Sequence, residues 1–136
     1  MRKISIFILA VLSVLSCTKF PGEGGNSSIK GKVEKDVRLV LTNPATYQYT
    51  VPAAEVDVYI SYGDHVSPDD RVWTNMDGEF EFLNLREGDY TIYVYSKDTT
   101  GVSGVDPDHM PIIREVEITA KKETVEVETL TIYDNN

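Results

Sequence analysis

Residues 74–96, TNMDGEFEFLNLREGDYTIYVYS, constrain the fold more than any other part of the chain. Phe80 and Phe82 alternate with Glu79 and Glu81, and Tyr90, Ile92 and Val94 alternate with Thr91, Tyr93 and Tyr95. A period of two marks extended strands with one face in a core and one in solvent. Met76-Asp77-Gly78 and Arg86-Glu87-Gly88-Asp89 interrupt the alternation with residues that accept the backbone angles of tight reversals. The segment therefore predicts three strands and two turns, the first strand carrying Val72, Thr74 and Met76 on its inner face.

The same pattern recurs along the chain. SIKGKVEKD sets Ile29, Gly31 and Val33 against charged neighbours, and EVDVYISY sets Val56, Val58 and Ile60 against Asp57, Tyr59 and Ser61. IIREVEIT and TVEVETLTIY predict two final strands. In the last, Val125 and Val127 point one way and Leu130 and Ile132 the other, as a bulge at Glu128 to Leu130 would produce. Residues 35–54 are the hardest to assign: VRLVL could be a strand, and TNPATYQYTVPAA a long excursion with two prolines. No helical period is sustained after residue 29, so the expected class is all-β. Sheets with one apolar face hide it against each other, which predicts a two-sheet antiparallel β-sandwich of about seven strands over residues 29–134.

The N-terminus carries a different signal. Arg2 and Lys3 precede ISIFILAVLSVL, an apolar run that as a helix spans about 18 Å, short of the roughly 30 Å hydrocarbon core. Residues 1–16 thus read as an export signal. The single cysteine, Cys17, closes this run and has no partner for a disulfide within the chain. Val14-Leu15-Ser16-Cys17 resembles the lipobox of bacterial lipoproteins, with Val14 where leucine is more usual. The resemblance implies cleavage before Cys17 and acylation of its thiol, hence a membrane partner through lipid. Thr18, with no aspartate after the cysteine, favours the outer membrane over retention at the inner one. Residues 17–28, rich in Gly, Ser and Pro, read as the lipidated cysteine and a flexible tether.

The formal charge of −9, with 22 acidic against 13 basic residues, removes the clustered basic footprint of a nucleic-acid binder. Two loops combine carboxylates with histidine: Asp64, His65, Asp69 and Asp70 in one, Asp106, Asp108 and His109 in the other. Neither has EF-hand spacing, and Asp and Pro are ordinary turn residues, so no metal and no cofactor is expected. No serine is framed as GxSxG and no histidine has a recognisable catalytic partner, so the expected protein is not an enzyme.

Thr74, Gly78, Phe80, Phe82, Leu85, Gly88 and Tyr90 form the pattern TxxxGxFxFxxLxxGxY, preceded by GKV and AAEVDVYI. Over residues 29–96 this resembles the carboxypeptidase regulatory-like and Cna-B-like domains of the prealbumin-like fold. The resemblance implies a prealbumin-like or immunoglobulin-like sandwich in which these seven residues are packing devices, the Tyr90 hydroxyl finding a polar partner at the rim. It carries no catalytic residue, because the peptidase unit that names the family lies in another domain. For the isopeptide bond of some Cna-B domains, Lys30 or Lys32 and Asn135 or Asn136 are the nominal counterparts, with both asparagines past the last strand.

Strand parity turns Tyr59, Trp73, Tyr93 and Tyr95 outward, and the resemblance assigns their strands to one sheet. These four form the candidate binding face, for protein or for stacked sugar rings. The expected protein is a non-catalytic lipoprotein of the cell envelope presenting a β-sandwich interaction domain, with a protein or glycan partner and no nucleic acid, accessory to a larger surface assembly. A spacer or stalk module without a ligand is the alternative. A carbohydrate-binding module and a small hydrolase are more distant ones.

Overall fold

A computed structural model describes residues 19–40, 46–97 and 110–135. The strands are β1 (Glu23–Val40), β2 (Thr46–Pro52), β3 (Asp57–Tyr62), β4 (Asp70–Trp73), β5 (Glu79–Leu85), β6 (Gly88–Ser96), β7 (Met110–Ile118), β8 (Thr124–Glu126) and β9 (Leu130–Asn135). They form two sheets, one of four strands in the order β4-β3-β6-β7 and one of five built around β1. The class is all-β and the architecture a sandwich, as the alternation predicts. Among the described residues no helix is long and apolar enough to cross a membrane. Cys17 and residues 1–16, with the export and acylation readings that rest on them, lie outside the described residues.

The long strand β1 organises the five-stranded sheet. Its first half lies between β5, antiparallel, and β8, parallel; its second half lies between β2, antiparallel, and β9, parallel. The neighbour changes at Val33, whose N–H donates to the Gly78 carbonyl and whose carbonyl accepts from the Ala53 N–H. Most pairs are antiparallel, but β8 and β9 run parallel to β1. The chain breaks between β8 and β9 where a bulge was expected, and both expected faces end in the core: Val127, Leu130 and Ile132 are buried and Val125 packs against them. Within residues 35–54, residues 35–40 form the end of β1 and Thr46–Pro52 the whole of β2, while 41–45 lie outside the described residues.

Two further expectations are corrected. Residues 23–28, read as tether, are the first third of β1, with Ser27 and Ser28 buried. Their small side chains permit close packing: a Cβ on Gly25 would lie 1.9 Å from the Leu85 carbonyl oxygen. The Ser27 hydroxyl donates to the Ala120 carbonyl and accepts from the Glu123 N–H, and the Ser28 hydroxyl bonds that of Thr124. Met76 does not share the inner face of Val72 and Thr74 but is 80% exposed, because β4 ends at Trp73. Buried Thr74 serves as a polar clamp, donating to the Ala53 carbonyl at 2.6 Å and accepting from the Val56 N–H at 2.9 Å.

The core follows parity elsewhere. Ile29 and Val33 of β1 and Phe80 and Phe82 of β5 meet Val58 and Ile60 of β3 and Ile92 and Val94 of β6, all at most 4% exposed. Burying one such side chain contributes roughly 1.5–3 kcal/mol. Leu85 breaks strict parity with Phe82, and the left-handed Asn84 (φ 59°) returns it to the core. Buried Tyr90 reaches the rim, where its hydroxyl donates to the Arg86 carbonyl at 2.7 Å and accepts from the Gly22 N–H at 2.9 Å.

Candidate functional site

The outer face of the four-stranded sheet is built by register. Tyr59 of β3 lies opposite Arg71 of β4 on one side and Tyr93 of β6 on the other, and Tyr93 lies opposite Ile113 of β7. In the adjoining row Trp73 lies opposite Asp57, and Tyr95 opposite Pro111. Alternation sends all of these away from the core, since Val58, Ile60, Ile92 and Val94 occupy the inner face.

Three of the four predicted aromatics form one cluster. The Tyr59 and Tyr93 rings stack with centroids 5.3 Å apart and an interplanar angle of 17°. Tyr95 meets both edge-on, at 5.7 Å from Tyr59 and 5.8 Å from Tyr93. These are favourable ring geometries, worth about 0.5–1.5 kcal/mol per pair beyond area burial. Tyr59 and Tyr93 are half-buried by this mutual packing, whereas Tyr95 is 42% exposed. Burial, helped by the neighbouring Tyr95, raises the Tyr93 pKa above the ordinary phenol value, although a hydrogen bond with Ser61 opposes the rise.

Trp73 shares the face without ring contact to the tyrosines. It is 65% exposed, and the Arg71 guanidinium lies 5.2 Å from its ring centroid. Arg71 Nη1 is also 3.3 Å from Asp57 Oδ1, so the cation is held between a carboxylate and an indole. Parity alone could have placed Arg71, Asp57 and Ile113 on this face, because each alternates with an inner residue. A shallow recess of about 360 Å³ runs past Tyr59, Pro68, Asp70 and Arg71. Trp73 borders a second groove, of about 570 Å³, with Lys30, Lys32, Asn75, Glu79 and Glu81. The face offers stacking surfaces and, beside them, groups that donate and accept hydrogen bonds.

Of the two carboxylate and histidine loops, the first lies among the described residues. His65 Nδ1 lies 2.9 Å from the Asp69 carboxylate, which also accepts from the Tyr62 N–H at 2.7 Å. Burial works to raise the Asp69 pKa, but these two contacts outweigh it and the net direction is down. Among the described residues no group of three His, Cys, Asp or Glu side chains could hold a metal ion. Asp106, Asp108 and His109 lie outside the described residues. Lys30 is 3.7 Å from Glu126 and Lys32 3.0 Å from Glu34, while Asn135 stands opposite Arg38, well past both lysines. The isopeptide counterparts are therefore not brought together, and Asn136 lies outside the described residues.

No family model matches the chain, and neither does any curated protein. Among solved structures, the chain is similar to a Pseudomonas aeruginosa protein to which carbohydrate binding is provisionally ascribed. Identity is 13% and the TM-score 0.50, over 81% of this chain and 90% of that one. At this identity the likeness is one of fold.

Proposed function

We propose that the chain is a non-catalytic glycan-binding module, held outside the cytoplasm by acylated Cys17, and that the outer face of β4-β3-β6-β7 is its binding surface. The observation that carries this reading is the row of outward aromatics, with Tyr59, Tyr93 and Tyr95 in mutual contact and Trp73 exposed beside them. A sugar ring presents an apolar C–H face and a hydroxyl rim. Aromatic rings match the face, and the Arg71, Asp57 and tyrosine polar groups match the rim. The ascription made for the similarly folded Pseudomonas protein supports the same choice.

The test is affinity electrophoresis of the mature protein through gels cast with a panel of neutral and acidic polysaccharides, including bacterial envelope preparations. Retardation by at least one polysaccharide is expected. Trp73→Ala and Tyr93→Ala should each weaken it about tenfold or more, the 1.4 kcal/mol or greater typical of aromatic anchors, without loss of folding. Unaltered migration of the wild type across the panel would leave the spacer reading in its place.

A further inference from the structure

We propose that the end of the sandwich from which the chain leads back to Cys17 is a membrane-contact surface that seats on anionic lipid headgroups, so that the domain stands on the bilayer and does not swing from a flexible stalk. This rests on the acylation of Cys17 proposed above.

The first observation is how early the chain becomes fixed. Lys19 Nζ pairs with Glu117 at 2.6 Å, Gly22 exchanges backbone and side-chain hydrogen bonds with Arg86 and Tyr90, and a Cβ on Gly88 would lie 2.8 Å from Pro21. Lys19 is two residues past Cys17, a reach of at most about 7 Å. A lipid chain on Cys17 would hold this end of the domain at headgroup depth.

The second observation is where the uncommitted positive charge lies. Lys19, Lys30, Lys32, Arg71 and Arg114 each pair with a carboxylate. Among the described residues Arg86, Lys121 and Lys122 pair with none, and all three are at this end. Arg86 and Lys121 line one recess of about 420 Å³ with Lys19 and Phe20, and Phe20 is 67% exposed. Glu87 also borders it, and Glu123, held ionised by the N–H groups of Thr119 and Ala120, adds a second negative charge at this end. The carboxylates of Asp64, Asp89, Glu115 and Glu117 line a neighbouring recess, from which Glu117 reaches Lys19. Basic side chains around an exposed aromatic, next to a lipid attachment, suit the phosphate and acyl boundary of an anionic bilayer.

The experiment uses the full acylated protein in vesicles of phosphatidylcholine with phosphatidylglycerol, carrying a bimane at Ala120→Cys or, at the far end of β5, at Asp77→Cys. Headgroup-nitroxide lipid should quench the probe at 120 several-fold more than that at 77. R86Q/K121Q/K122Q, or vesicles of phosphatidylcholine alone, should lower the quenching at 120 severalfold, toward the residual that the short link to Cys17 sets, while the protein stays bound through its lipid. Equal quenching in the wild type, or unchanged quenching at 120 in the triple variant, overturns the proposal. So does saturable binding of inorganic phosphate that abolishes the quenching, which would make the recess a phosphate site. A mass without acyl chains on Cys17 would instead remove the anchoring reading beneath it.

Discussion

Tyr90→Phe isolates one hydroxyl on which the N-terminal segment depends. The ring is 1% exposed and stays in place in the variant, so no cavity forms. What is lost is the acceptor for the buried Gly22 N–H at 2.9 Å and the donor to the Arg86 carbonyl at 2.7 Å. A buried donor left unsatisfied costs about 1–3 kcal/mol, and the rim carbonyl, which water can reach, about 0.5–1 more. The expected loss is therefore about 2–3 kcal/mol, a fall in Tm of roughly 8–15 °C for a domain of this size. The assay is urea and thermal unfolding of the mature chain followed by its single tryptophan, with Tyr59→Phe on the outer face as a control within about 0.5 kcal/mol. Trypsin should also cut after Lys19 faster in Tyr90→Phe under native conditions, because the segment opens locally. If Tyr90→Phe unfolds with the control, the hydroxyl is not what holds residues 19–22 to the body.

Gly78 takes φ 76°, and a Cβ there would lie 2.4 Å from the Val33 carbonyl oxygen. Gly78→Ala should cost about 2–3 kcal/mol by urea unfolding, against near neutrality for the adjacent Asp77→Ala. Tyr62 has its pKa raised to about 12, by burial first and then by the nearby Glu23 and Asp70 carboxylates. The unfolded chain releases that proton near pH 10 and the folded chain keeps it, so this stability is full below pH 10 and is lost as pH rises toward 12. Urea midpoints between pH 8 and 11 should fall less steeply in Tyr62→Phe; an identical slope would discount the burial of this phenol. Acrylamide should quench Trp73 strongly in the free protein, given its 65% exposure, and weakly in the presence of a polysaccharide that retards it; strong quenching in both states would place the ligand elsewhere.

Alternation made the core of β5 and β6 legible, because Phe80, Phe82, Ile92 and Val94 report a face directly. It also made the outward tyrosines legible, but their contact depends on the register of β3 against β6, a pairing between residues far apart in sequence. The glycine and serine run at 24–28 misled for a physical reason: small residues mark flexible linkers and also strands that a neighbouring backbone approaches closely, and here the second applies. The inward turn of Leu85 hangs on the left-handed conformation of Asn84, which the order of apolar residues does not announce. Parallel pairing of β8 and β9 with β1 leaves no local trace at all.

That last pairing ties the beginning of the domain to its end. The central strand of one sheet is made near the start of synthesis but gains its β8 and β9 neighbours only when residues 124–135 have emerged. Contacts so distant in sequence close late and slow folding. Folding of such a chain can complete only after residues 124–135 have been made, which is compatible with the export proposed above. A truncation of β9 should trap the chain as an open, aggregation-prone intermediate.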